Sequence, residues 1–430
     1  MRSVITVTNI NVKEYSISVT FECNGAISRY FTDNTLYVTY DTVIGSTPDG
    51  IAVIPFVANV LPLVWLTDSV LEIPVLDGDF YRSISEFKRG YENMYPMLDF
   101  AGEVKPLETV EHSCELDNGS GLFFSGGVDS FASLVAHAEE KIRLILILGA
   151  DIPLDDHEGV KNTTAMIESA ADEFGCSHEI IKSNFREFIN YLYVKPLIYK
   201  APSHYWQGFQ HGIGIISLSA PLAFTLGLKK IYMASTIAPE STRTCASHHT
   251  IDNYVKFADT AVSNDLNDLS RQHKLKSIVE YAGEYGKKVF LRVCWKSKGG
   301  GNCGKCEKCL RTIAGLYAEG ESPAVYGLDI NNAGGCEKAV ELLQKRILIH
   351  GADFWTNIQD RMRENSEKVL SNAFTHWVMT TDFASVNKPV IKKIWTTIQK
   401  KLGKDVKEPS RELKRTNAYR QKKGLPPLKK

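Results

Sequence analysis

Two groups of residues in this chain have the types and spacing to do chemistry. The first is the string Ser125-Gly126-Gly127-Val128-Asp129-Ser130. Paired glycines adopt backbone conformations closed to other residues and leave no side chain in a ligand's way. Loop amides, followed by the free N–H groups of a first helical turn, converge on one spot and favour an anion such as pyrophosphate. Ser125 and Ser130 add hydroxyls, and Asp129 either orients Mg2+ or caps the helix. An ordinary strand-to-helix turn with a Ser/Asp cap would draw on the same residue types. The Gly-Lys-Ser/Thr ending of a Walker A loop is missing. The second group is Cys294, Cys303, Cys306 and Cys309, spaced C-x8-C-x2-C-x2-C. Four thiolates at such short intervals, with Gly299-Gly300-Gly301 and Gly304 letting the backbone fold round, fit tetrahedral Zn2+. All four positions come from protein, so such a metal is structural and leaves no place for an activated water. An iron–sulfur cluster uses the same four ligands, and four reduced thiols without metal are the third alternative.

These residues need elements to place them. Leu122-Phe123-Phe124 reads as a strand running into the glycine loop. Phe131, Leu134, Val135 and Ala138 then recur at i, i+3, i+4 and i+7, the buried face of a helix. From residue 120 the pattern is βαβα, which predicts an α/β fold with a doubly wound parallel sheet. Lys141–Leu148 is a largely apolar strand, as in a sheet covered on both faces. It ends at Gly149-Ala150-Asp151. Ligands in open α/β sheets sit beyond the carboxyl ends of strands where strand order reverses, which places Gly149 and Asp151 near a nucleotide. The alternative is that Asp151 only starts the loop before Pro153. A helix near 158–174 and the strand His178–Lys182 follow.

The region His204–Thr225 carries Trp206, Gln207, Gln210 and His211 and then a long apolar helix. His211 is either a packed or capping residue or a ligand contact. After the strand Lys230–Thr236 comes the loop Ile237–Asp252, dense in polar groups: Glu240, Ser241, Thr242, Arg243, Ser247, His248, His249 and Asp252. Structureless loops of this length are functional or disordered as a rule, and this one leaves the ligand side of the sheet. Ser270 opens a helix whose Arg271 and Lys274 either meet phosphate or carboxylate or lie solvated. Arg311 carries the metal site's position into the active site, or makes a surface salt bridge.

Residues 1–112 read as a β-rich N-terminal module with no catalytic constellation. Val4–Thr8, Tyr15–Phe21 and Thr35–Tyr40 alternate and favour β-branched or aromatic residues. Ile51–Leu66, interrupted by Pro55, Asn59 and Pro62, is expected to form buried strands and is too short to span a bilayer. Tyr81–Tyr95 is expected to be helical, and the polar stretch 101–119 to be a linker. The α/β domain then runs over 120–320, a helical extension over 336–405 and a basic tail over 406–430. A basic tail can contact nucleic acid, but a solvated end explains it as well.

Over 430 residues, 50 basic and 50 acidic side chains cancel, which removes any global field for nucleic acid or membrane. The 43% apolar and 23% charged content is that of a globular protein. The N-terminus shows no signal-peptide core. Nine cysteines, four of them crowded near residue 300, then favour metal over disulfides and a cytoplasmic location.

Together, the Ser-Gly-Gly-x-Asp-Ser loop and the C-x8-C-x2-C-x2-C spacing resemble 7-cyano-7-deazaguanine synthase and its relatives among the PP-loop ATP pyrophosphatases. The resemblance covers about 120 to 320, and it implies the adenine nucleotide alpha hydrolase-like fold. It maps Ser125, Gly126, Gly127, Val128, Asp129 and Ser130 onto the nucleotide loop, and Cys294, Cys303, Cys306 and Cys309 onto zinc ligands. It implies ATP, Mg2+ and Zn2+, and a small-molecule carboxylate, 7-carboxy-7-deazaguanine, activated as an acyl-adenylate and then aminated. Asp129, Ser130, Arg271 and Lys274 are the expected catalytic residues. The family's short enzyme lacks the N-terminal module and the C-terminal extension, and Thr236–Glu240 does not match its substrate segment. Longer relatives resemble the synthase-like proteins of antiphage operons, thought to attach a deazaguanine to a partner protein's amino terminus. Other expectations for such a loop are a tRNA-modifying or muramyl-peptide-activating ATP pyrophosphatase, or a nucleotide sensor without catalysis. A homodimer is left open, and no membrane partner is expected.

Overall fold

The computed structural model describes residues 2–114, 117–237, 243–294, 296, 298–345, 351–383 and 421. Within them one sheet collects β1 (Val4–Lys13), β2 (Ser16–Cys23), β3 (Thr35–Tyr40), β4 (Val70–Asp77), β5 (Glu103–Val110), β6 (Ser120–Phe123), β7 (Ile142–Leu148), β8 (Ser177–Ser183), β9 (Lys230–Ala234), β10 (Lys256–Phe257) and β11 (Thr260–Asp265). Their order is β10-β11-β9-β6-β7-β8-β3-β2-β1-β4-β5. β11, β9, β6, β7 and β8 run parallel. An antiparallel stretch through β3, β2 and β1 follows, and β4 and β5 then continue parallel to β1.

Side-chain alternation decides the layers. Leu122, Leu144, Leu146, Ile180 and Tyr232 enter one core, beneath the helices Val128–Ala136, His157–Phe174, Arg271–Tyr285 and Glu307–Ala318. Their strand neighbours Phe123, Ile145, Ile181, Ile231 and Met233 enter the other. With both faces covered, a strand such as Ile142–Leu148 is apolar along its length apart from Arg143, which pairs with Glu179 at 2.6 Å. The sheet is doubly wound over this stretch.

The second core lies inside the curl of the sheet. It includes Ile5, Val19 and Leu36 from the N-terminal strands and most of the apolar run 206–226. The curl is deep enough that Asp77, ending β4, accepts the N–H of Ala258 beside β10 at 3.2 Å. Asp79 accepts that of Asp259, also at 3.2 Å.

Residues 1–112, expected as a β-rich module, hold β1 to β5 alongside the helices Asp49–Ala52, Ile54–Leu66 and Gly78–Met94, and their strands extend the same sheet, because β3 pairs with β8 at Val38↔Ser183 and Tyr40↔Ile181. Ile51–Leu66, expected as buried strands, is helical over Asp49–Ala52 and Ile54–Leu66. The second helix is buried all round up to Trp65, and a helix with no solvated face shows no amphipathic period. Its Pro55 sits in the first turn, where no intrahelical N–H is needed. The stretch 101–119, expected as a linker, contains the edge strand β5, whose charged residues and Pro106 suit an edge. The expected helices near 81–95 and 158–174 form as Gly78–Met94 and His157–Phe174. Of the helical extension expected over 336–405, the described residues form helices at Cys336–Lys345, Ala352–Glu364 and Ala373–Thr380, and 346–350 and 384–405 lie outside the described residues. The basic tail lies outside the described residues, Gln421 apart. Trp206–Leu226 is long and apolar enough to cross a membrane by composition, and 78% of its apolar window is buried inside the protein.

Candidate functional site

The glycine loop leaves the carboxyl end of β6, the strand with β7 and β8 on one side and β9 and β11 on the other. That is the point where strand order reverses, the usual ligand crevice of such sheets. Gly126 has φ +72°, and a Cβ there would lie 2.7 Å from Met166 Sδ, so the position requires glycine. Its carbonyl accepts the Arg292 N–H at 2.6 Å. Gly127 is the extended N-cap of Val128–Ala136 and offers no capping side chain, so no N-cap side chain claims the first-turn amides. The Val128 side chain is core, and its contribution to a ligand is its backbone. Ser130 ties the loop internally: its Oγ donates to Gly127 O at 3.1 Å and accepts the Ser125 N–H at 3.4 Å.

Asp129 is buried at 9% exposure beside the loop. Oδ2 accepts hydrogen bonds from an Arg271 Nη and from Thr236 Oγ1, the latter at 3.2 Å, while Oδ1 is buried with no hydrogen-bond partner. Burial pushes its carboxyl up, but Arg271, Lys274 and Lys308 together outweigh this and hold it below the usual carboxylate range. Arg271 and Lys274 reach the site because Ser270 caps their helix, accepting the His273 N–H, and the helix packs on Val128–Ala136. Lys274 is 1% exposed and donates to Ser235 O at 2.6 Å, just past the end of β9. Burial lowers its ammonium from the ordinary lysine value, against the pull of Asp129.

Across the crevice, Gly149 follows the end of β7 with φ +94°, and Asp151 lies two residues further on. Desolvation raises the Asp151 carboxyl, but Arg186, His211, Lys308 and Arg292 bring it below its ordinary value. Arg186 donates to Ala150 O at 2.8 Å and lies 3.8 Å over the Trp206 ring. Trp206–Gln210 is a π-helical turn, a feature frequent at functional sites. Next to it, His211 meets Trp206 edge-on at 5.0 Å. Gln210 serves the interior instead, bonding Asn59 Oδ1 at 2.7 Å and Phe185 O at 2.8 Å. The Gln207 backbone carbonyl accepts the Ala246 N–H at 2.8 Å.

The Sγ atoms of Cys294, Cys303, Cys306 and Cys309 lie within 4.8 Å of one another and could hold a metal ion such as zinc. Separations of 3.8, 4.0 and 3.4 Å for Cys294–Cys306, Cys303–Cys309 and Cys306–Cys309 match the edge of a tetrahedron. Zn–S bonds of about 2.3 Å give an edge of about 3.8 Å. Cys306 is also the N-cap of Glu307–Ala318, its sulfur accepting the Cys309 N–H at 3.4 Å. That helix carries Lys308 and Arg311 to the glycine loop, so the cysteine cluster fixes two cations of the site.

Of the expected residues, the loop, Arg271, Lys274, Asp151 and Arg311 come together in one crevice. The loop after β9 contributes Arg243, while Ser247 and Asp252 bond each other at 2.8 Å as internal structure. Glu240, Ser241 and Thr242 lie outside the described residues. Sequence reasoning missed Arg186, Arg292, Lys308, Thr236 and Phe354. Lys308 carried a signal, because it stands inside the second C-x2-C pair; Phe354, in the C-terminal extension, carried none. No protein-family model matches the chain, and no curated protein matches it.

Proposed function

We propose that this protein is an ATP-dependent, carboxylate-adenylating enzyme of the 7-cyano-7-deazaguanine synthase type, with structural zinc in the four-cysteine cluster. The observation that carries the reading is the glycine loop, opening at the reversal of strand order with a buried Asp129 at its edge and Arg271, Lys274 and Lys308 around it. Such a site suits a polyphosphate beside an ionised carboxylate. The fold on this reading is that of the adenine nucleotide alpha hydrolases. The acid is 7-carboxy-7-deazaguanine, the acceptor ammonia or a partner protein's amine, and the location the cytoplasm.

A carboxylate is a poor electrophile, and AMP makes it a good acyl donor. The chain's part is to position reactants and stabilise phosphate charge. The amides after Gly127 hold phosphate oxygens. Lys274, Lys308 and Arg271 offset the charge that builds on the departing diphosphate. Asp129 Oδ1, buried without a partner, and Asp151 are the oxygens that would hold Mg2+. That ion would neutralise phosphate charge. Ser130 keeps the loop's shape.

The test is mass spectrometry after incubation with ATP and 7-carboxy-7-deazaguanine, with and without a candidate acceptor. AMP, pyrophosphate and an amide are the expected products. Nucleotide bound without turnover would make the protein a sensor and end the proposal.

A further inference from the structure

The helix Ala352–Glu364 brings Phe354 to the place where three arginines meet. The guanidinium carbons of Arg311, Arg243 and Arg271 stand 4.0, 4.4 and 5.7 Å from the centre of its ring. Each arginine has a carboxylate beside it: Glu307 at 3.5 Å from Arg311, Asp353 at 2.6 Å from Arg243, and Asp129 against Arg271. Like charges gathered away from water repel more strongly than in water. The negative face of an aromatic ring offsets part of that repulsion.

Donors are left over. The Nε of Arg271 is buried and has no hydrogen-bond acceptor, and the buried Nε of Arg311, whose side chain is 6% exposed, has only the Glu307 carboxylate at 3.5 Å, in an ion pair that does not form a hydrogen bond. Burial, and then the nearness of Arg271 and Arg243, bring Arg311 down to about 10 despite Glu307. A cavity opens at this point, lined by Val128, Arg271, Arg311, Thr312, Phe354 and Ile358. Val128 is the first residue of the loop helix, so the cavity adjoins the glycine loop.

We propose that this cup is an oxyanion subsite that takes the diphosphate end of the nucleotide opposite the loop amides, and that Phe354 is the positioning residue for its arginines. Naming a diphosphate rests on the nucleotide reading above. A diphosphate presents charge to both the loop and the cup, whereas a monocarboxylate satisfies one. The C-terminal extension is then part of the site rather than an appendage.

The test titrates inorganic pyrophosphate into the metal-loaded full chain by calorimetry, with acetate in a parallel arm, for wild type, Phe354→Leu, Phe354→Tyr and Arg243→Gln. The Arg243 side chain is 36% exposed, so its replacement spares the core. Phe354→Leu and Arg243→Gln should each weaken pyrophosphate binding at least about tenfold, with Phe354→Tyr within about twofold of wild type. A merely structural Phe354 would be served by leucine as well as by tyrosine. Wild-type affinity in both Phe354→Leu and Arg243→Gln overturns the subsite and leaves the nucleotide reading standing. A wild-type chain that binds no pyrophosphate overturns both. Acetate binding that is lost in the same variants overturns the diphosphate assignment.

Discussion

Replacing Asp129 by Asn tests how the site is held together. Asp129 and Arg271 are each 12% exposed at the side chain and pair directly. Removing one partner of a buried pair costs about 3–5 kcal/mol, because the other charge stays behind uncompensated. Asn keeps an oxygen for the Thr236 hydroxyl, so nearly all of the loss is electrostatic. It leaves Arg271, Lys274, Lys308 and Arg311 with one carboxylate fewer. Asp129→Asn should therefore lose about 3–4 kcal/mol and Arg271→Met less, since Lys274 and Lys308 still face Asp129, and the double variant should lose clearly less than the sum of the two. Urea unfolding followed by tryptophan fluorescence, on metal-loaded protein at neutral pH, measures all four corners. The sign with pH is fixed as well. The carboxyl is depressed in the folded state, so its contribution is full above its unfolded value near 3.9 and is lost as pH falls through the folded value. The gap between wild type and Asp129→Asn should close in acid below about pH 4. Additive losses in the double variant, or a gap that stays constant into acid, would refute the reasoning.

Asp252 gives the opposite sign. Burial pushes its carboxyl up to about 7, against hydrogen bonds from Asn264, Ser247 and the His248 backbone. The folded state therefore holds a proton that the unfolded state has released, and stability falls as pH rises from about 4 to about 7. Asp252→Asn should match wild type near pH 4 and exceed it by up to roughly 4 kcal/mol above pH 7, read from urea midpoints. Cys306→Ser should abolish bound metal, read by elemental analysis, while the Ser still caps the helix Glu307–Ala318. Pyrophosphate affinity should fall at least about tenfold with it, since Lys308 and Arg311 lose their anchor. Metal stoichiometry unchanged from wild type would refute the assignment of the cluster.

What was legible in the sequence was local. The glycine loop and the cysteines declare themselves within a few residues, and the strand Ile142–Leu148 does so by an apolar run broken only at Arg143. Arg271 and Lys274 were readable because Ser270 marks a helix start in front of them. Ile54–Leu66 was misread because a helix buried on all sides and a buried strand have the same composition, and periodicity alone does not separate them. β5 was misread for the converse reason: an edge strand carrying Glu103, Lys105, Pro106 and Glu108 has the composition of a linker. Phe354 was invisible because its role depends on Arg243 and Arg311, which stand far from it in the chain and share no spacing rule with it.

The curl that fastens Asp77 to Ala258 has a consequence for how the chain is made. Ile54–Leu66 leaves the ribosome early, with apolar side chains on every side. Its covering includes Gly214 and Ser217, with Gly214 O 3.3 Å from Asn59 Nδ2, residues translated more than a hundred positions later. Pairings of such long sequence separation form slowly, since loop closure precedes any gain from contact. One side of a greasy segment thus waits for its lining while more than a hundred further residues are made. Truncation before residue 209 should leave that side bare and send the nascent protein to holdase chaperones or into aggregates.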